Sequence, residues 1–252
     1  MTVKISAVVI TFNEEKNIER CLLSLQGVVD EIVVVDSFST DKTEEICKKF
    51  TVRFIQNAFE GHIQQKNYAI AAAENEWILS LDADEALTDT LKNSILTAKE
   101  NPRFKAYKFN RSTNYCGHWV KYCGWYPDTK TRMVDRNFAK WQGSNPHDRL
   151  DLIGSGEIGF LKGDLLHFSY YTEQDHLKQI EFFGNIAARE LFSKGEKSGQ
   201  LKIAVKVVAQ FIKSYFIKLG ILDGKTGFTI SRLSAFATYR KYKILLNLYR
   251  QK

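Results

Sequence analysis

The triplet Asp82-Ala83-Asp84 sets two carboxylates two residues apart, directly after the apolar segment Trp77 to Leu81. In extended backbone, residues i and i+2 point the same way, so both acids are expected to face one point. Two carboxylates aimed together repel unless a proton or a cation lies between them. Hard oxygen ligands on a short loop suit Mg²⁺ or Mn²⁺, which completes its shell with phosphate oxygens and water. A bare pair of this kind is common by chance, and its setting gives it weight. Two other apolar segments end in Thr11-Phe12-Asn13-Glu14 and Asp36-Ser37-Phe38-Ser39. Ser39 or Asp41 alone would be an ordinary helix cap. Three acid-bearing clusters together describe a cleft, because half-buried acids are costly without a partner.

The elements that must position these clusters alternate in type. Ile5 to Thr11, Glu31 to Asp36, Val52 to Gln56 and Trp77 to Leu81 read as buried strands. Glu14 to Gln26, Asp41 to Phe50 and Gly61 to Asn75 read as the helices between them. A βαβαβαβ order implies an α/β fold with a mostly parallel sheet and helices on both faces. In such sheets ligands bind beyond the carboxyl ends of the strands, which is where the three clusters lie. After Pro102 the texture changes to shorter strands (Ala106 to Asn110, Thr131 to Asp135, Ile158 to Phe168) among loops rich in Tyr, Trp, Gly and Asn. Glu173 to Lys194 reads as a helix behind the capping pair Thr172 and Asp175.

The chain has 252 residues, 44% of them apolar and 26% charged, a globular composition long enough for a proper core. Its apolar runs fall well short of the ~20 residues that cross a bilayer. The first twelve residues read as a strand and not as a secretory leader, and the four cysteines form no CxxC pair, so free thiols in a cytoplasmic setting are expected. Net charge is +7, unevenly spread. From Gln200 onward eleven Lys/Arg stand against the single acid Asp223, whereas the first 199 residues hold 25 basic and 28 acidic groups. A basic tail of that kind seeks an anionic partner. On a helical wheel Lys202, Lys206 and Lys213 share one side, and Val207, Val208, Phe211, Ile212, Tyr215, Phe216 and Leu219 lie on the other. Thr229 to Arg250 repeats the theme with Arg232, Arg240, Lys241, Lys243 and Arg250.

Several ordered motifs carry a family likeness: ISAVVITFNEEKNIERCLLSL, EIVVVDSFSTDKT, QQKNYAI and WILSLDADE, spanning residues 3 to 100. The chain resembles the inverting nucleotide-sugar glycosyltransferases of family 2, with the GT-A fold. Downstream, WYPDTKTRM, NPHDRL, LLHFSYYT and GILDGKTGF resemble a narrower group, the lipopolysaccharide core β-1,4-glucosyltransferases. The resemblance implies a GT-A domain over 1–199, divided into a nucleotide-sugar half (1–100) and an acceptor half (101–199), with 200–252 as a basic amphipathic tail. It implies a UDP-sugar donor, a lipid-linked oligosaccharide acceptor, and a peripheral place on the inner face of the cytoplasmic membrane.

By the same resemblance Thr11, Asn13 and Glu14 would line uridine and ribose, and Asp36 would accept from the uracil N–H. Ser37 and Ser39 would reach ribose or phosphate, Lys66 would face uracil or diphosphate, and Asp82 would approach the ribose. Asp84, with His167 as a further ligand, would hold Mg²⁺ or Mn²⁺ against the diphosphate, where it stabilises charge on the departing UDP. Relatives place a His-acid pair after a Trp-containing strand, and His147-Asp148 stands there. Asp148 is the expected base, with Glu157 and Asp128 as fallbacks and a salt bridge to Arg149 or Arg132 as the plainer role. His167 divides evenly between metal ligand and hydrogen-bonded core residue. Trp119, Trp125 and Tyr126 offer a sugar-stacking face or simple packing, and Arg132 and Arg136 offer acceptor-phosphate contacts or solvated salt bridges.

Other readings are a polyprenyl-phosphate or other cell-surface polysaccharide transferase, and a nucleotide-sugar-binding protein without turnover. A nucleic-acid partner is not expected: no recognition motif accompanies the charge, which is confined to the tail.

Overall fold

The computed structural model describes residues 2–144 and 147–250, and the side chains of Ser144 and His147 lie outside the described set. Its first half follows the alternation of apolar segments: β1 (Ile5–Thr11), α1 (Ile18–Leu25), β2 (Glu31–Asp36), α2 (Thr43–Cys47), β3 (Arg53–Gln56), α3 (His62–Ala72) and β4 (Trp77–Asp82). The strands match the sequence reading to within a residue, while the helices are shorter at their ends. Strand order begins β3-β2-β1-β4, all parallel, with Thr11 opposite Asp36 and Ile10 opposite Asp82. That register brings the three polar clusters to one edge. Period-two alternation in β1 splits its side chains between two cores. Ala7 and Val9 pack with Ile18, Leu22 and Leu25 of α1, whereas Val8 packs with Ala69 and Ile70 of α3.

Beyond β4 the sheet turns antiparallel. The chain adds β5 (Glu85–Leu87), α4 (Asp89–Glu100), β6 (Ala106–Tyr115), β7 (His118–Trp119), β8 (Asp128–Asp135), β9 (Ala139–Ser144), β10 (His147–Leu152) and β11 (Ile158–Tyr170). Strand order continues from β4 through β8, β6 and β11 to β5, and β9 pairs with β10 in a separate ribbon. Helix α4 was not legible in the sequence because its apolar face is narrow. Only Leu91, Ile95 and Ala98 are buried, behind a Thr88 cap whose hydroxyl accepts from the Leu91 N–H.

The chain divides into two compact units: residues 1–111 with 128–168, and 112–127 with 169–252. Segments 112–127 and 169–199, expected in the domain 1–199, thus group with the basic tail. The second unit holds α5 (Glu173–Ser193), α6 (Gln200–Ile212), a π-helical turn (Lys213–Ile217), a 3₁₀ turn (Gly220–Asp223) and α7 (Gly224–Arg250). The Thr172/Asp175 capping box closes the start of α5 as read from the sequence. The GILDG segment has a structural task here. Asp223 is buried and accepts from the N–H groups of Lys121 and Tyr122, which pins the loop before Cys123. A side chain at Gly220 would strike Cys123 Sγ at 2.7 Å and the Ser214 carbonyl at 2.8 Å.

Trp125 stands in an aromatic cluster with Tyr115, Tyr170 and His176, with centroid separations of 4.7–6.0 Å. For this ring packing prevails over sugar stacking. Along α7, Arg232 pairs with Glu173 at 3.1 Å and Arg240 with Glu181 at 2.5 Å, so acids of α5 meet two of this helix's six basic side chains.

Candidate active site

At the ends of β1 and β2 the backbone is drawn into a lattice of short polar contacts. Asn13, at φ 54°, has its N–H on Ser39 Oγ at 2.8 Å, and its side-chain oxygen accepts from the Thr40 N–H at 2.8 Å. Asp36 is fully buried and accepts from both the N–H and the hydroxyl of Ser39, at 2.8 and 2.5 Å. Ser37 Oγ accepts from the Gln65 amide at 3.0 Å, and Gln65 also accepts from Asn57 at 2.8 Å. Thr11 Oγ1 is buried with no hydrogen-bond partner. An orphaned hydroxyl at a strand end suits a ligand's polar edge. Phe12 and Phe38 stand exposed on either side. Glu14 accepts from Asn17 and is nonetheless held up to about 7, first by burial and then by the charges of Asp84, Asp41 and Asp82.

At the end of β4 the two acids part company. Extended backbone stops at Asp82, and Ala83-Asp84 form a turn, so the expected common aim of Asp82 and Asp84 is not what the structure shows. Asp84 lies beside His167, with Oδ2 to Nε2 at 3.2 Å, and its carbonyl accepts from the Phe168 N–H. The antiparallel pairing of β11 with β5, which sets His167 opposite Glu85, makes this meeting possible. The Asp84 carboxylate suits Mg²⁺ or Mn²⁺, and an imidazole beside it fits the softer Mn²⁺ better than the hard Mg²⁺. Among the described residues no three His, Cys, Asp or Glu side chains gather to hold a cation unaided. A cation at this pair would therefore depend on ligand oxygens and water.

Asp82 turns instead toward buried cations. Lys66 Nζ lies 3.1 Å from Asp82 Oδ1 and 2.8 Å from Asp148 Oδ2, bridging the two acids. Arg132 donates to Asp82 at 3.1 Å and to Glu85 at 2.8 Å. Arg111 continues the chain from Glu85 at 3.3 Å to Asp128 at 2.7 Å. Burial alone would raise the Asp82 carboxyl, yet the charges of Lys66, Arg132 and Arg111 hold it far below the usual carboxylate range. The negative charges of Glu85, Asp82 and Asp148 keep Arg132 protonated against its own burial.

Trp141 supplies the floor. Its ring lies 4.2 Å from Lys66 Nζ and 5.2 Å from the Arg132 guanidinium. Asn67 fixes it by accepting from the Trp141 N–H at 3.0 Å and donating to its carbonyl at 2.9 Å. Above this floor opens a cavity of about 540 Å³ lined by Lys66, Asp82, Arg132, Asp148, Arg149 and neighbouring residues.

Each expected site residue can now be placed. Thr11, Asn13, Glu14, Asp36, Ser37 and Ser39 share the β1–β2 edge, Asp84 and His167 form a pair, and Lys66 joins Asp82 to Asp148. Asp148 is salt-bridged, but to Lys66 and not to Arg149 or Arg132, and Arg149 pairs with Asp151 at 3.3 Å. Of the fallback bases, Asp128 is held by Arg111 and Lys130, and Glu157 is exposed in a loop. Arg132 is a buried network member and no solvated residue. Arg136 caps α3, donating to the carbonyls of Ala73 at 2.6 Å and Ile70 at 3.4 Å. Glu85, Arg111, Asn67 and Trp141 were missed. The signal for Glu85 was available, since a third acid directly after the Asp82-Ala83-Asp84 triplet has to find a partner if the strand continues inward.

Comparison with known proteins follows from this geometry. The family model described as "Glycosyl transferase family 2" matches residues 6–142. An uncharacterized glycosyltransferase of Rickettsia prowazekii is 30% identical over 97% of this chain and 87% of its own length. A lipopolysaccharide core biosynthesis glycosyltransferase, LpsC of Rhizobium meliloti, is 23% identical over 95% of this chain and 93% of its own. Among solved structures, S. aureus TarS 1–349 in complex with UDP-GlcNAc aligns over 98% of this chain and 92% of that one, at 17% identity and a TM-score of 0.48.

Proposed function

The chain belongs to glycosyl transferase family 2, and from that premise we propose that it moves a hexose from a UDP-sugar, UDP-glucose foremost, onto an inner-core sugar of lipopolysaccharide or lipooligosaccharide. One observation carries the reading: the Asn13–Ser39–Asp36 lattice, the Asp84–His167 pair and the Lys66-bridged acids Asp82 and Asp148 all stand at one edge of a single unit. The acceptor class is supported by the likeness to LpsC along nearly the whole chain.

In this reading the buried Asp36 and the orphaned Thr11 hydroxyl meet the nucleoside, with Asn13, Glu14, Ser37 and Ser39 shaping its edge. Asp84 and His167 would hold Mg²⁺ or Mn²⁺, which as a Lewis acid supplies charge stabilisation to the departing UDP. Lys66 faces the diphosphate, and Asp82, fixed by Arg132, holds Lys66 in place. Asp148 takes the proton from the acceptor hydroxyl as that oxygen attacks the anomeric carbon opposite the leaving group, so configuration inverts. In the structure the Lys66 ammonium occupies the Asp148 carboxylate at 2.8 Å. Donor phosphates compete for the same ammonium, and their arrival frees the carboxylate for proton abstraction.

Calorimetry with UDP-glucose, UDP-galactose, UDP-N-acetylglucosamine and GDP-mannose, each with and without Mn²⁺, tests the donor assignment. Metal-dependent binding strongest for UDP-glucose is expected. Preference for another nucleotide sugar would replace the donor, and binding of none would remove the reading.

A further inference from the structure

The cavity above Trp141 runs from a buried floor to an open rim, all of it within the first unit. Its volume of about 540 Å³ is that of a small-molecule site. At the floor, Lys66 and Arg132 are engaged by Asp82, Glu85 and Asp148. At the rim stand Lys130 of β8 and Arg149 of β10, whose side chains are 40% and 72% exposed. Lys130 lies 3.0 Å from Asp128, and Arg149 lies 3.3 Å from Asp151. The proposed transfer chemistry uses neither cation.

Those rim pairs are loosely held. Half-exposed ion pairs contribute little, because water competes for both partners. Each acid also has a second partner: Asp128 accepts from Arg111 at 2.7 Å, and Asp151 accepts from the Gln142 amide at 3.2 Å. Lys130 and Arg149 can therefore turn to an incoming anion without leaving either carboxylate alone. In the wall below, two further donors, Trp141 Nε1 and Arg132 Nε, are buried without a hydrogen-bond partner.

We infer that Lys130 and Arg149 form a subsite for an oxyanion, a phosphate monoester or a carboxylate, carried by the acceptor close to the hydroxyl that Asp148 deprotonates. Asp148 lines the same cavity, so an acceptor seated against it brings its neighbouring substituents to the rim. An oxyanion takes charge-assisted hydrogen bonds from an ammonium and a guanidinium together, which a neutral sugar hydroxyl does not match. The carboxylates on the cavity wall that could read neutral hydroxyls, Asp82, Asp148 and Asp151, are already engaged by cations. Arg132 is fixed between Asp82 and Glu85, and Arg136 caps α3, so the anion falls to the rim pair. The inference rests on the reading of Asp148 as the acceptor-side base, and it adds the class of acceptor: an anionic sugar in place of a neutral one.

Calorimetry with the full chain, UDP and Mn²⁺ tests it by measuring the binding of a heptose-terminated core oligosaccharide in three forms: intact with its phosphate and carboxylate groups, dephosphorylated, and carboxyl-reduced. Loss of the recognised group should weaken binding about tenfold or more, and the form that loses affinity tells which oxyanion the rim reads. Lys130→Gln/Arg149→Gln should weaken the intact form as much and bring the three forms within about twofold of one another, with UDP affinity and the far-UV CD spectrum unchanged. In turnover of UDP-glucose the same variant should raise KM and keep kcat, the signature of a binding contact. Equal binding of the three forms by the parent overturns the inference, as does a double variant that still discriminates or a parent that binds none of them. The expected binding pattern without release of UDP from UDP-glucose would defeat the transferase reading and leave the anionic subsite standing.

Discussion

Glu85→Gln is the change that most directly probes how the site is held. Glu85 is fully buried and Arg132 nearly so, and their contact at 2.8 Å is continued by Asp82 at 3.1 Å on one side and Arg111 at 3.3 Å on the other. Removing one partner of a buried pair costs about 3–5 kcal/mol, because the other charge stays out of water uncompensated. Here Arg132 keeps Asp82 and the Trp141 face, and the glutamine oxygen can still accept from the Asp82 N–H, so the lower end, about 3 kcal/mol, applies. For a chain of this size that is a fall in thermal midpoint of roughly 6–12 °C. Arg132→Met leaves Glu85 with Arg111 alone and should cost a similar amount. If the pair acts as a unit, Glu85→Gln/Arg132→Met costs less than the two single changes together, by about 1–3 kcal/mol. Urea unfolding followed by tryptophan fluorescence gives all three free energies, and thermal unfolding gives the midpoints. A midpoint for Glu85→Gln within about 2 °C of the parent, or strict additivity in the cycle, would refute the network as the scaffold of Asp82.

Asp84→Ala should abolish transfer and remove the Mn²⁺ dependence expected of UDP binding in calorimetry, and unchanged metal dependence would dismiss the Asp84–His167 pair as its holder. Asp148→Asn should keep the donor Kd within about twofold and lower kcat by about 10²–10⁴-fold; a fall in donor affinity of the same size would make Asp148 a donor-binding residue. Glu14 gives a signed pH dependence. Free glutamate titrates near 4.5 and Glu14 near 7, so between those values the folded chain keeps a proton that the unfolded chain has lost, and stability falls as pH rises through that window. Glu14→Gln should match the parent below pH 4.5 and gain on it progressively up to pH 7, read as thermal midpoints. His176 works in the opposite sense: burial holds it down to about 4, so the fold loses stability as pH falls from about 6.5 to 4, and His176→Gln should flatten that limb.

Legibility in the sequence followed burial pattern. Strands β1, β2 and β4 are covered on both faces and show as unbroken apolar runs, which fixes the polar clusters at their ends. Asp36, Asn13 and Ser39 were readable for that reason. The antiparallel half was less so, because β9 and β10 form a short separate ribbon whose buried residues among those described are only Ala139, Trp141 and Leu150, and α4 shows only three buried apolar positions. The charge network escaped altogether. Lys66, Asp82, Glu85, Arg111, Arg132 and Asp148 come from six elements, and nothing local in the chain says that Lys66 will stand between Asp82 and Asp148. On α6 the wheel grouped Phe211 and Tyr215 with Val208 and Ile212, yet the first two pack against Phe228 of α7 and the last two are exposed. Only the packing of α7 shows which part of the apolar side stays outside.

The central claim is an inverting transfer from a UDP-sugar. Proton NMR of the full chain with Mn²⁺ removed after reaction, UDP-glucose and a heptose-terminated core oligosaccharide tests it in one experiment. The account predicts release of UDP, a new β-glucosidic anomeric signal on the acceptor, and neither with Asp84→Ala. An α-glucosidic product would contradict direct displacement, and turnover undiminished in Asp84→Ala would contradict the site.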